Sequence, residues 1–303
     1  MNRPATVITT QMHAQRTPQD VIVSEKQRVA GLLNLTEADT MTVNDSGWDS
    51  RVYIVNQGQY VFKFPRSEQV RAAYASEIAA YTLVSAIRGS VKTPVVKWEG
   101  ATCEYFGYEG MVGTALDVAG RAVSRDAWNG IGTALGAFLL QVHQLHLQNA
   151  RQMSIDDEIE EFQYKYSLGL PIIQQRFTDD EQAKIERLIQ EDLPGKLTEL
   201  GGDMVLCHGD LGYWNIIYGR GGEIGVIDFG DIGYYDRSKD FIGLKDVSAL
   251  NAALSVYGDN AILREKIALR KKVLAILDLP FFIGKNDQAG INNTVHNIRR
   301  ASS

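Results

Sequence analysis

The chain has 303 residues, 45% hydrophobic and 22% charged, a balance that suits a folded protein with one large domain or two lobes. Lysine and arginine total 31 against 37 acidic residues, a net charge of −6, which argues against a general nucleic-acid binder or an anionic membrane surface because both need a basic face. Two cysteines exclude a disulfide framework and fit a reducing, cytoplasmic setting; no run of 18 apolar residues suggests a membrane span, and M-N-R-P-A-T-V-I-T-T lacks a signal peptide's apolar core.

The first sixteen residues show no clear period and are expected to be loosely ordered. Thr17-Pro18-Gln19-Asp20 combines an N-cap, a first-turn proline and a first-turn acid, predicting a helix to about Leu33. Strand-like runs at 41–43, 51–55 and 60–64, separated by Asn44-Asp45-Ser46-Gly47 and Asn56-Gln57-Gly58, predict an antiparallel meander. Ser67 can cap a helix to about Ile87, and strands are expected at 94–98 and 104–112. Ser124 can cap a long helix to about Leu147, with Trp128, Ile131, Leu135, Phe138, Leu139 and Val142 on one face. Residues 156–192 read as helical with a break near Gly169-Leu170-Pro171. Short strands at 215–218 and 223–227 flank the turn at 219–222, and from Asp240 the chain reads as helical with a break at Asp278-Leu279-Pro280. The expected class is α+β: a small antiparallel-sheet lobe over residues 1–113 and a larger, mainly helical lobe over 114–303.

Two loops carry the chemistry. Leu206-Cys207-His208-Gly209-Asp210-Leu211-Gly212-Tyr213-Trp214-Asn215 contains H-G-D-x4-N, and Val226-Ile227-Asp228-Phe229-Gly230-Asp231 contains D-F-G after two aliphatics. The short hairpin between them should return the chain so that Asp210, Asn215 and Asp228 converge. Mg²⁺ takes oxygen ligands from one or two side chains plus phosphates. Asn215 and Asp228 fit that set, leaving Asp210 to accept a proton from an attacking hydroxyl.

These motifs and spacings resemble the catalytic and metal loops of the kinase-like fold. The H-G-D form is similar to that of aminoglycoside phosphotransferases and choline kinases. I-D-F-G-D followed by Asp236 and Asp240 looks most like aminoglycoside 2''-phosphotransferases. The resemblance, over roughly residues 20 to 300, implies a bilobal kinase-like fold binding Mg²⁺ with ATP or GTP. It maps the family's Lys–Glu pair onto Lys63, inside Val61-Phe62-Lys63-Phe64, and Glu77 on the following helix. Taken alone, the two residues also fit a snorkelling edge lysine and a solvated glutamate. Ser46, Gly47 and Ser50 lie where the family covers the nucleotide, and can either donate to phosphates or form a plain hairpin turn. Tyr108-Glu109-Gly110-Met111 falls at the family's hinge, making the Glu109 carbonyl and Met111 amide candidates for the purine edge. Ile54, Phe62 and Ile227 are candidate apolar walls there, or simply core. The resemblance also makes His208 and Asp240 loop-bracing residues.

The acceptor is expected to be a cationic small molecule. Residues 151–203 hold 13 acids against 6 bases, a local −7, while the remainder sums to +1. Asp157, Glu158 and Glu161 in the densest stretch, with Asp231, are the candidate substrate carboxylates, set against an ordinary acidic helix start. The expected activity is phosphorylation of an aminoglycoside hydroxyl. The alternatives are a macrolide, a sugar or amino-alcohol acceptor, or a nucleotide-binding module without catalysis.

Overall fold

Thr17 accepts from the Asp20 amide while Asp20 accepts from the Thr17 amide, and this reciprocal cap starts α1 (Pro18–Leu33). The computed structural model of the chain describes residues 17–45, 47 and 49–302, so the expectation for the first sixteen residues and the Ser46 assignment lie outside the described residues. After α1 come β1 (Met41–Asn44), β2 (Ser50–Val55), β3 (Tyr60–Pro65), α2 (Glu68–Val84), β4 (Val91–Lys92), β5 (Val95–Glu99) and β6 (Phe106–Glu109). Strands β1, β2, β3, β6 and β5 form one antiparallel sheet in that order.

Both faces of this sheet are covered, which explains the apolar residues on both sides of β3, interrupted only by Lys63. Alternation sends Phe62 and Phe64 toward Val29 of α1, with Tyr53 and Val55. Val61 faces the other way, with Phe106 and Tyr108, onto Tyr74 and Tyr81 of α2. Lys63 shares that second face and is buried there.

The chain leaves the sheet after Glu109. It continues through β7 (Thr114–Ala115), α3 (Leu116–Ala119), α4 (Arg125–Val142), β8 (Arg151–Gln152) and α5 (Ile155–Arg176), then α6 (Asp179–Arg187), a π-helical turn over 188–192 and α7 (Leu193–Leu200). It ends with β9 (Met204–Cys207), β10 (Ile216–Tyr218), β11 (Ile224–Val226), β12 (Gly233–Asp236), α8 (Val247–Tyr257), α9 (Ala261–Gly284) and α10 (Gln288–Ser302). The fold is thus α+β, with its antiparallel sheet N-terminal and a mainly helical C-terminal part. Gly132 and Gly136 let α4 press directly on Ala249 and Ala253 of α8. A second apolar cluster joins α5, α6, α7, α9 and α10. Among the described residues no helix is long and apolar enough to cross a membrane.

Several expectations are corrected. The helix at Ser124 stops at Val142, and α5 and α9 run through Pro171 and Pro280 without a break. Proline removes one helical hydrogen bond. Here Phe162, Tyr166 and Ile173, which flank Pro171, and Ile276 and Leu279, in the turn before Pro280, belong to one buried apolar cluster. The break comes instead at Phe177–Thr178, where Thr178 caps α6.

Among the described residues five short strands, β4, β7, β8, β9 and β12, fall outside the expected runs, and β9 and β12 set the site. Strands β9 and β12 pair in one small sheet, while β10 and β11 pair in another. The loop from β9 to β10 and the loop from β11 to β12 therefore both cross between the same two sheets, side by side. Strand β4, from the N-terminal part, adds to β11.

Candidate active site

Asp240 organises the first loop. Fully buried, it accepts from the His208 amide at 2.8 Å, the Gly209 amide at 3.0 Å and His143 Nε2 at 3.1 Å. The Tyr257 hydroxyl lies 2.6 Å from His143 Nδ1 and orients that ring. The His208 ring reaches the Ile227 carbonyl at 3.0 Å, tying the first loop to the second. Gly209 has φ +89, and a Cβ there would lie 2.1 Å from the Asp231 carbonyl oxygen. Only glycine fits the backbone conformation and the close approach of the two loops.

Asp210 follows. Its Oδ2 accepts from Trp214 Nε1 at 3.0 Å and from Asn215 Nδ2 at 3.0 Å. Burial pushes its carboxyl up; the Trp214 hydrogen bond and His208 oppose this, and the nearby Asp231 and Asp228 add to it.

The second loop holds Asp228 at φ 66, an uncommon conformation for a non-glycine residue and one concentrated at functional sites. The Tyr81 hydroxyl accepts from its amide at 3.2 Å, and Phe229 is buried against Tyr81. Lys63 Nζ lies 2.5 Å from Glu77 Oε1 and 3.1 Å from Asp228 Oδ1. Burial pulls the Lys63 ammonium down, but the charges of Glu77 and Asp228 more than offset it and keep the lysine protonated. The same lysine outweighs burial at Asp228 and holds that carboxyl below the usual range.

Lys63, Glu77, Asp210, Asp228 and Asp231 line one cavity of about 640 Å³, together with Gly47 and Ser50 from the β1–β2 turn. The Ser50 hydroxyl is buried and bonded to the Tyr74 hydroxyl at 2.7 Å. Asp45 pins this turn through Arg51 and Arg66.

A second cavity, about 470 Å³, opens from Lys63 and Asp228 toward Gly110 and Met111. Its apolar walls are Val52, Ile54, Val61, Ile217 and Ile227, with Tyr108 also lining it. Phe62 is not among them; strand alternation turns it to the α1 side, and Val61 takes that place. Glu109 is not part of this wall either, and its side chain points toward Lys97, 3.8 Å away.

A third cavity, about 270 Å³, runs from Asp210, Trp214 and Asp231 to α5 and α9. Here the expected acidic wall is corrected. Asp157 is exposed and closes the cap of α5, accepting from the Ser154 amide and hydroxyl. Glu158 is buried in a two-pronged ion pair with Arg270, itself 1% exposed. Glu161 reaches the cavity but pairs with Lys165 at 2.7 Å and Arg151 at 3.2 Å. Asp231 is exposed and lines both this cavity and the first.

The sequence pattern of the phosphotransferase enzyme family (APH) matches residues 40–264. The chain belongs to that family. Solved structures similar to this phosphotransferase include the gentamicin–APH(2")-IIa complex, with 20% identity and TM-score 0.68 over 92% of this chain and 97% of that one. The GDP and kanamycin complex of APH(2")-IIIa has 16% identity and TM-score 0.73 over 92% and 98%. Macrolide 2'-phosphotransferase MphH from Brachybacterium faecium has 18% identity and TM-score 0.60 over 93% and 98%.

Three residues of the phosphotransferase's site went unread in the sequence. Trp214 touches the Asp210 carboxylate, Tyr81 the Asp228 amide and Tyr74 the Ser50 hydroxyl. Trp214 stands inside the H-G-D-x4-N motif, and Tyr81 lies one helical turn beyond Glu77, so position alone marked both.

Proposed function

We propose that the chain transfers the γ-phosphoryl group of ATP or GTP to a hydroxyl of a small molecule. The observation that carries this is the convergence of the Lys63–Glu77–Asp228 chain and the Asp210–Asn215 pair on adjoining cavities. In this reading residues 1–113 hold the nucleotide, and residues 114–303 supply the catalytic loop and the acceptor cleft. The purine lies in the slot by Tyr108 and Met111, and its phosphates run toward Lys63 beneath Gly47.

The donor set suits a hard cation. Asn215 Nδ2 is committed to the Asp210 carbonyl at 2.9 Å and to the Asp210 carboxylate, leaving its amide oxygen as a ligand. Asp228 uses Oδ1 toward Lys63 and keeps a second oxygen. Asn215 and Asp228 would hold Mg²⁺, which when bound neutralises phosphate charge.

Asp210 orients the acceptor hydroxyl and takes its proton. A bond forms between the acceptor oxygen and the γ-phosphorus while the bridging bond to the β-phosphate breaks. The electron pair leaves on the nucleoside diphosphate, whose charge Lys63 steadies. Positioning and charge stabilisation supply most of the rate gain.

An aminoglycoside acceptor, which would make the protein an antibiotic-resistance enzyme, is supported by the likeness to the gentamicin and kanamycin complexes. The acids at 156–161 lend it little support, since Asp157 caps a helix, Glu158 and Glu161 are ion-paired, and Asp156 and Glu160 do not line the cavity. The acceptor cavity's size and its mixture of charges favour a second reading, a metabolite-sized sugar or amino alcohol. Cytoplasmic residence fits the free thiols Cys103 and Cys207.

Product mass spectrometry with each nucleotide and a panel of aminoglycosides, macrolides and small polyols tests the activity. Asp210→Ala should abolish transfer on any accepted substrate while Mg·nucleotide still binds. Full turnover by that variant would refute the assignment of the base. Nucleotide binding without transfer to any acceptor would favour the non-catalytic module.

A further inference from the structure

The acceptor cavity is built of charges of both signs, and they are sorted. On the α5 and β12 side stand Arg151, Lys165 and Lys239 around a single carboxylate, Glu161. Toward the catalytic loop and α9 stand Asp210, Asp231 and Asp278. Glu158 also reaches the wall but is cancelled by Arg270 behind it.

One carboxylate cannot balance three cations. Lys165 and Arg151 share Glu161, while Lys239 has no carboxylate within ion-pairing distance among the described residues. Its ammonium instead sits 4.7 Å from the centre of the Tyr235 ring, and the Arg151 guanidinium lies 5.9 Å from the same ring. Tyr235 is buried, and its hydroxyl donates to the Asp231 carbonyl at 3.1 Å, so the floor beneath the two cations is fixed. Burial pushes Glu161 up, but Lys165, Lys239 and Arg151 together hold it below the usual carboxylate range, so it stays ionised and is outnumbered three to one on this wall, with Asp210, Asp231 and Asp278 on the rest of the lining and Asp278 also in the field of Lys165.

A polycation entering this end of the cavity would meet like charge on α5. The volume, about 270 Å³, also falls just below the ~300–1,000 Å³ usual for ligand sites, and the cavity meets the first one at Asp210 and Asp231. We propose that the acceptor is a small hydroxyl compound carrying an anionic group, a carboxylate or a phosphate, held by Lys239, Arg151 and Lys165 while its hydroxyl faces Asp210. This rests on the kinase reading above and narrows it. Asp278 and Asp231 are then left for the acceptor's remaining hydroxyl or ammonium donors. The anion anchors the molecule and takes no part in the transfer.

Calorimetric titration of the full chain with Mg²⁺ and a non-hydrolysable nucleotide tests this with matched pairs. D-Glycerate is compared with glycerol, D-gluconate with sorbitol, glucose 6-phosphate with glucose, and kanamycin serves as the polycation. Acids of the preferred type should bind about ten-fold more tightly than their neutral counterparts, as charge-assisted hydrogen bonds require. A preference confined to carboxylates, or to the phosphate, identifies the anion. Lys239→Met and Lys165→Met should each reduce that preference by several-fold and raise KM for an accepted acid more than they lower kcat. Both side chains are partly exposed, and an unchanged melting temperature verifies that the variants fold. Equal or tighter binding of the neutral partners, tighter binding of kanamycin, no binding of any acid, or a preference untouched by both substitutions would overturn the proposal. The nucleotide titration separates the two readings. Mg·nucleotide binding with any of those results leaves the kinase reading standing, and absence of nucleotide binding overturns both.

Discussion

Asp240→Asn keeps the shape of the residue that holds the catalytic loop and removes one acceptor. In the structure Oδ2 serves the His208 amide and His143, while Oδ1 serves the Gly209 amide. The asparagine amide group costs least if its nitrogen replaces Oδ1. One charge-assisted bond is then lost, and the Gly209 N–H faces another donor. A bond to a charged group contributes ~1.5–3 kcal/mol and a buried orphaned donor costs ~1–3 kcal/mol, so the variant should lose about 3 kcal/mol or somewhat more. At roughly 1.5 °C per kcal/mol for a chain of 303 residues, the melting temperature should fall by about 5 °C or somewhat more. The strain falls on Gly209, directly before Asp210, so kcat should drop well below wild type at temperatures where the variant is folded, with little change in nucleotide KM. Thermal melts and steady-state kinetics at 20 °C read both effects. A melting temperature within a degree or two of wild type, with unchanged kcat, would show that the three donors are satisfied without the carboxylate.

Gly209→Ala should be at least as damaging. The new Cβ would sit 2.1 Å from the Asp231 carbonyl oxygen and occupy a left-handed backbone, so a stability loss of ~3 kcal/mol or more is expected by denaturant titration. The pH dependence divides the carboxylates. Asp228 and Asp240 are held below the usual range, because Lys63 and His143 respectively offset their burial, so the stability they contribute is present above the unfolded value and fades as pH falls through their folded values. Asp210 is pushed the other way by burial, so it takes up its proton first on acidification. The acid limb of kcat/KM should therefore have a midpoint above the ordinary aspartate value while the protein remains folded. A pH–rate profile run beside pH-dependent melts tests this, and an acid limb that coincides with unfolding would contradict it.

What could be read in the sequence was chemistry written within a few residues. H-G-D-x4-N and D-F-G name their own groups, and only beside them does the lysine inside Val61-Phe62-Lys63-Phe64, which alone also fits an edge lysine, stand out. The caps Thr17, Ser67 and Ser124 announced their helices because capping bonds span three residues. What could not be read depends on partners distant in the chain. Strand β9 meets β12 with Cys207 opposite Gly233, and both are four residues long, too short for alternation to stand out. Which face of β3 looks onto α2 decides between Val61 and Phe62 at the nucleotide slot, and only the packed sheet sets it.

Charge along the chain misleads for the same reason. An excess of 13 acids over 6 bases in residues 151–203 is a property of a segment, whereas a cavity responds to the field that remains after pairing. Glu158 is cancelled by Arg270, 112 positions away, and Asp157 turns its charge onto its own helix terminus. Lys239 arrives at the same wall from the turn after β12. A segment with a net charge of −7 thus presents to the cavity two cations and one carboxylate not cancelled from behind, and Lys239 joins them from outside the segment. The local surplus of acid is consistent with an acceptor of the opposite charge to the one it first suggested.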